Sequence, residues 1–194
     1  PQAKNRAAQL DCKGACYPIA TLNGNEGCDL WQHASLQLQP STGVAYGIWH
    51  YVNVTKDTEF LFKYGLEMLI EISRFLLSRG QWNSEHTKFG YYCVMGPDEF
   101  QMMVNHNCYT NFMAKKTFLY TLEVIDKYRG TKELEDIIEK TGFSDEEYQS
   151  FKHAADNMYL PRKGLLFEQH EGFFDLPHID IRSIPVTDFP LYKN

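Results

Sequence analysis

Apolar residues recur along most of this chain at the three-to-four-residue interval of a helix with one buried face. Ala7, Ala8 and Leu10 mark the end of a first helix within residues 1–10. Pro40-Ser41-Thr42 opens a second, expected to run to about Tyr51, since proline suits a first helical turn. Phe60, Leu61, Tyr64, Leu69, Ile72, Phe75 and Leu76 define a third, capped by Asp57 or Thr58 and closed by Gly80 as a C′ residue. A long helix follows from near Asn105 to Tyr128, ended by Gly130, and then a short one from Glu133 to Lys140, stopped by Gly142. Ser144-Asp145-Glu146-Glu147 reads as a capping box opening another, to about Met158.

Three stretches break the rhythm. Residues 11–33 form a long loop rich in Gly, Asn and Cys, and a loop of that length inside a compact domain is usually functional. Phe89–Val94 is strand-like and leads into a Gly-Pro turn. Residues 160–194 are rich in Pro, Asp and aromatics and have no helical period; Leu165, Phe167, Phe173 and Phe174 there need a neighbour to pack against. The chain is therefore all-α with short strands in its loops. Its alternation of long helices and long polar loops suits the hairpins of a helical toroid.

With 194 residues, the chain can form one domain with a real core or part of a larger one. A net charge of −6 without a basic stripe argues against nucleic acid as a partner. No apolar run is long enough to span a membrane, and no charged-then-apolar leader opens the chain, so a membrane partner is not expected. The start at Pro1 suggests a processed product or a piece of a longer protein. The odd cysteine count (Cys12, Cys16, Cys28, Cys93, Cys108) and its irregular spacing argue for a reducing, cytoplasmic compartment. Cys12, Cys16 and Cys28 invite a zinc reading, but zinc ligands come as closer pairs with a matching second pair. Buried thiols are the better account, and neither metal nor cofactor is expected.

The chemistry concentrates in residues 95–111. A Gly96-Pro97 turn presents two adjacent carboxylates, Asp98 and Glu99, followed by Gln101, Asn105, His106, Asn107, Tyr109, Thr110 and Asn111. Neighbouring side chains on such a backbone point to opposite sides, so one carboxylate faces a cleft and the other braces the loop. A carboxyl in a partly apolar pocket, beside Phe100 and Met95, would be tuned as a general acid. The competing reading is an acidic cap at a helix start. His106 fits either a sugar contact or a bond to the loop backbone. In the first loop, Glu26, Asp29, Trp31, Gln32 and His33 combine an aromatic face with hydrogen-bonding groups, which suits a sugar as well as it suits an ordinary surface loop. Glu171 and Asp175, beside aromatics, look sugar-like too, but bracing is the simpler role.

Gly96-Pro97-Asp98-Glu99 together with Val104-Asn105-x-Asn107-x-Tyr109-Thr110-Asn111 resembles the general-acid segment of the inverting α-glucoside phosphorylases, the family of maltose, kojibiose, nigerose and trehalose phosphorylases. Lys13-Gly14-Ala15-x-Tyr17-Pro18-x-x-Thr21-x-x-Gly24-x-Glu26 resembles a second family block, with Ile19 where a Trp is common. Ala45-Tyr46-x-Ile48-Trp49-x-Tyr51, then Phe60-Leu61 and Gly65-x-Glu67-x-Leu69, fit the helical pair between them. The match is close over about residues 1–130 and looser beyond.

The resemblance implies part of an (α/α)6 barrel, with residues 1–194 as a partial catalytic domain. It implies Glu99 as general acid, Asp98 orienting it or capping, Asn105 as a sugar contact, and Glu26, Trp31, Gln32 and His33 shaping the acceptor site. Small carbohydrates and inorganic phosphate would be the partners; phosphate, as co-substrate and nucleophile, would give β-glucose 1-phosphate. The family's Trp-Asp donor pair would lie upstream, and its Lys-Gln pair and phosphate site downstream, so the segment alone is expected to be inactive. Exposed apolar edges would follow, and self-association into a homodimer with them. Two other readings stay open: a glucoamylase-like hydrolase using water, which needs a second, basic carboxylate, and a non-catalytic sugar-binding or structural fragment.

Overall fold

The computed structural model describes residues 1–28 and 35–189. Helix α1 spans Gln2–Gln9 and α2 spans Gln39–Thr55, one turn longer than the pattern suggested; Lys56, left-handed at φ 59°, closes it through an N–H bond to the Val52 carbonyl. Asp57 caps the next helix by accepting the Phe60 N–H at 2.9 Å. That helix is one rod of three parts: α3 (Thr58–Phe60), a π-helical turn (Leu61–Gly65) and α4 (Leu66–Arg79). A hairpin follows, β1 (Gln81–Trp82) against β2 (Phe89–Gly90). Helices α5 (Cys108–Lys127), α6 (Lys132–Thr141) and α7 (Asp145–Asp156) complete the helical part. A second hairpin, β3 (Arg162–Lys163) with β4 (Leu166–Phe167), leads into short 3-10 turns. The architecture is mainly helical with a few short strands, in line with the all-α expectation.

Helix α4 lies at the centre, packed against α2, α5, α6 and α7. Leu66, Leu69, Ile70, Ile72, Phe75 and Leu76 are all excluded from solvent. Burying such a side chain contributes about 1.5–3 kcal/mol, so this helix is the main hydrophobic anchor. Around its polar side runs an ion-pair clamp. Arg74 grips both carboxylate oxygens of Glu147 at 2.7 Å through Nε and Nη2, and reaches Glu71 at 3.1 Å through Nη1. Lys4 binds Glu71 at 2.8 Å and Lys140 binds Glu67 at 2.7 Å. Helices α1, α4, α6 and α7 are thereby tied together.

Several local expectations change. Gly80 ends α4 with extended backbone (φ −75°, ψ 164°), not as a left-handed C′ residue. Glycine is required there by space: a Cβ would lie 2.7 Å from Cε1 of the Phe89 ring. Ser144 caps α7 through the Glu147 N–H, but the reciprocal half of a capping box is not made because Arg74 takes the Glu147 carboxylate. Helix α5 begins at Cys108, since Asn107 with extended ψ of 123° is its cap. Only Phe89–Gly90 of the strand-like stretch pairs as a strand, and Cys93 turns the chain at φ 51°.

Among the described residues, the uncovered apolar surface includes two patches. Between α2 and α5 a groove of about 430 Å³ is lined by Tyr46, Trp49, Phe112 and Leu119, all exposed. On the second hairpin Leu165 and Leu166 are open, and Phe167 is half-exposed beneath the Arg162 guanidinium. No helix among the described residues is long and apolar enough to cross a membrane.

Candidate active site

The Gly-Pro-Asp-Glu turn sits in a loop closed at its base by a two-bond bridge. The Val94 and Val104 backbones exchange N–H···O bonds, both 2.9 Å. Three non-glycine residues around that base, Cys93, Met103 and His106, hold left-handed φ values of 51–56°. Such residues cost energy and persist only where their surroundings fix them, and they cluster at functional sites. Here the fixing groups are visible. Arg79, on the last turn of α4, donates to the Tyr92 and Cys93 carbonyls at 2.9 and 3.3 Å. Asn105 Oδ1 accepts the Cys93 N–H at 3.2 Å. The buried Tyr91 hydroxyl donates to the Leu76 carbonyl at 3.1 Å.

Asp98 and Glu99 differ in their contacts. Asp98 Oδ1 accepts the Phe100 N–H at 3.1 Å, and Oδ2 accepts from Gln169 Nε2 at 2.7 Å. Both its oxygens therefore brace the turn. Glu99 is exposed, and among the described residues it is bonded by Gln37, whose Nε2 donates to Oε1 at 3.2 Å. Among the described residues, the apolar pocket expected from Phe100 and Met95 does not form. Met95 is fully buried beneath the turn while Phe100 is 92% exposed, because the bend at Asp98 throws its ring outward.

Four segments meet at this turn. The Met95 N–H bonds the Leu36 carbonyl at 3.2 Å, which joins the turn to the end of the first loop. Asn107 caps α5, accepting the Thr110 N–H at 3.0 Å, and donates through Nδ2 to the Gln169 carbonyl at 3.2 Å. That carbonyl also accepts the Cys108 N–H at 2.9 Å. The Glu171 N–H bonds the Asn105 carbonyl at 3.1 Å. Gln169 thus holds the turn, the start of α5 and the tail segment at once.

His106 is 5% exposed; its main-chain N–H donates to the Tyr91 carbonyl at 2.7 Å, its ring lies edge-on to Tyr92 and Tyr159, and its buried ring Nδ1 has no hydrogen-bond partner among the described residues. Burial pushes its pKa below the usual histidine value. Asp175 pairs with Lys163 at 3.0 Å, a bracing contact in the open.

In the first loop, Glu26 turns back on its own chain. Oε2 accepts the Ile19 N–H at 3.0 Å, and Oε1 accepts those of Ala20 and Gly27 at 3.3 and 3.1 Å. Burial opposes its ionisation, but these backbone donors, with Cys28 and Arg6, outweigh burial and hold the carboxyl below the ordinary carboxylate range. Trp31, Gln32 and His33, with Asp29, lie outside the described residues. Burial lifts the Cys16 thiol to about 11, which suits a small core hydrophobe. Among the described residues no group of three or more His, Cys, Asp or Glu is arranged to hold a metal ion.

Sequence reasoning missed Gln37 and Gln169, which touch Glu99 and Asp98 respectively from positions 62 and 71 residues away. Neither stands in a motif; Gln37 sits in an ordinary Leu-Gln-Leu-Gln run. Only the fold could have selected them.

A family model described as the glycosyl hydrolase family 65 central catalytic domain matches residues 1–192. An α,α-trehalose phosphorylase of Thermoanaerobacter brockii is 35% identical over 97% of this chain and 25% of its own length. A kojibiose phosphorylase of Halothermothrix orenii is 32% identical over 93% of this chain and 26% of its own. A solved structure named "Putative kojibiose phosphorylase from human microbiome" superposes with a TM-score of 0.90 at 53% identity, covering 99% of this chain and 28% of that one. The chain thus spans about a quarter of the length of these relatives.

Proposed function

Because the chain belongs to glycosyl hydrolase family 65, as a stretch of its central catalytic domain, we propose that the protein carrying it is a disaccharide phosphorylase with Glu99 as general acid. The observation that carries this reading is the division of labour in the turn. Both Asp98 oxygens are spent on the loop, whereas Glu99 is exposed and held at a single oxygen by Gln37.

In the proposed reaction Glu99 gives its proton to the glycosidic oxygen as the C1–O bond breaks. A phosphate oxygen forms the new bond to C1 from the opposite face, so configuration inverts. The products are the free acceptor sugar and β-glucose 1-phosphate, and no basic carboxylate is needed because phosphate is already a nucleophile. The first loop, which carries Glu26, Trp31, Gln32 and His33 and leads into Leu36 and Gln37 beside the turn, is assigned to the acceptor. Asp98 keeps the turn in place, and Asn105 holds the loop base from which a polar side chain can reach a sugar. Kojibiose, or a similar α-glucoside, is the favoured substrate; the name of the solved relative at 53% identity supports it. We assign the helices to part of an (α/α)6 barrel, the rest of which would supply the donor and phosphate contacts.

The test is Glu99→Gln in the full-length protein. Phosphorolysis of kojibiose should fall about 10²–10⁴-fold, the usual cost of losing a general acid, with the fold intact by circular dichroism. Turnover in the parent should require phosphate and release β-glucose 1-phosphate. Equal activity of variant and parent would remove Glu99 from the mechanism, and phosphate-independent release of glucose would favour a hydrolase.

A further inference from the structure

We propose that Gln37 is the positioning residue that fixes the Glu99 carboxyl and assigns its proton to Oε2. The inference rests on Glu99 being the general acid. Its starting point is a mismatch of order around the turn. The backbone carrying Glu99 is immobilised by the Val94–Val104 bridge, by Asp98 and by Gln169. The Glu99 side chain, in contrast, is exposed and has three rotatable bonds. Ordering a free glutamate costs rotamer entropy, and a proton donor misplaced by about 1 Å loses on the order of 100-fold in rate. A rigid turn therefore does not place the carboxyl unless something grips the side chain itself.

Among the described residues Gln37 is in reach. Its side chain is 6% exposed, and its Nε2 donates to Glu99 Oε1 at 3.2 Å. Its backbone is held on both sides: Leu36 accepts the Met95 N–H, and Leu38 is buried and opens α2, its carbonyl accepting the Ser41 N–H at 3.2 Å. A buried amide on a fixed backbone makes a stationary donor. An N–H donated to one carboxyl oxygen gives that oxygen the acceptor role. In the protonated acid Oε1 is then the carbonyl oxygen, and Oε2 bears the proton and faces the leaving group. The amide transfers nothing itself: the proton goes from Oε2 to the glycosidic oxygen, and Oε1 keeps its bond to Gln37 throughout.

The experiment is a double-mutant cycle in the full-length protein with Gln37→Met, which keeps the length of the side chain and removes the donor, and Glu99→Gln. Two substrates are used in each: the disaccharide, whose leaving sugar needs a proton, and α-glucosyl fluoride, whose leaving group departs without one. Gln37→Met should lower kcat for the disaccharide about 10- to 100-fold with little change in KM, leave fluoride turnover unchanged, and have no further effect in the Glu99→Gln background. Equal losses on both substrates, or a full additional loss on top of Glu99→Gln, would make Gln37 merely structural and overturn the proposal. An unchanged disaccharide kcat in Gln37→Met, with Glu99→Gln inactive, would overturn it while leaving Glu99 as the acid. Full activity of Glu99→Gln would instead sink the general-acid reading, and this inference with it.

Discussion

Gly96→Ala should be the most damaging single-methyl change near the turn, and the structure says why. A Cβ built on Gly96 would lie 2.7 Å from Asn107 Oδ1 and closer still to the rest of that amide. Asn107 is 1% exposed and has no open space to retreat into. Its Oδ1 accepts from the Thr110 N–H and hydroxyl at 3.0 and 3.1 Å, while Nδ2 donates to the Gln169 carbonyl at 3.2 Å. Pushing the amide aside loses the cap of α5, worth about 1 kcal/mol, and a buried hydrogen bond worth about another 1 kcal/mol. Residual overpacking adds about 1–3 kcal/mol. The expected cost is therefore about 3–5 kcal/mol, read as a shift of the urea midpoint at constant slope. The same cycle isolates the cause. Asn107→Ala alone should cost about 2 kcal/mol, and adding Gly96→Ala to it should cost almost nothing more, because the shortened side chain vacates the colliding volume. If Gly96→Ala costs its full amount in the Asn107→Ala background, the collision is not with Asn107 and the reasoning fails. A Gly96→Ala protein within about 0.5 kcal/mol of the parent, the ordinary range of a surface change, would refute it outright.

Arg74→Met should destabilise the protein by about 3 kcal/mol or more, the cost of breaking a largely buried pair, since Glu71, with only 9% of its side chain exposed, loses its nearest buried cation; Arg74→Lys should recover little, because the two-pronged grip on Glu147 needs a guanidinium. Urea titration checks both, and a fully stable Arg74→Lys would contradict the geometry. Glu26 sets an acid limit on the first loop. Its folded pKa is depressed, so its contribution is fully present above the unfolded-state value of about 4.3 and is lost as pH falls through the lower folded value. Amide exchange at Ile19 and Ala20, corrected for intrinsic rates, should accelerate in that window and not above it, and Glu26→Gln should abolish the dependence.

What the sequence determined by itself was the set of local rules. Helical periodicity located the buried faces of α4 and α5, and Asp57, Asn107, Thr131 and Ser144 cap helices close to where the pattern put their starts, because periodicity and capping depend on residues within a few positions of one another. The Gly96-Pro97-Asp98-Glu99 turn was legible for the same reason, and with it the family. What only the tertiary structure decided is everything carried by long-range contacts. The need for glycine at position 80 follows from the Phe89 ring across the hairpin. Glu147 is drawn out of its capping box by Arg74, 73 residues away. Phe100 is turned to solvent, so the expected apolar pocket is missing. Gln37 and Gln169, anonymous in sequence, become partners of Glu99 and Asp98 because packing of α2 and α5 on α4, and the bonds of the Gln169–Glu171 segment to the start of α5, carry them there. Local spacing encodes which side chains share a face; only burial of those faces against one another chooses which distant polar groups meet, and the grip on the two carboxylates is made by groups of that second kind.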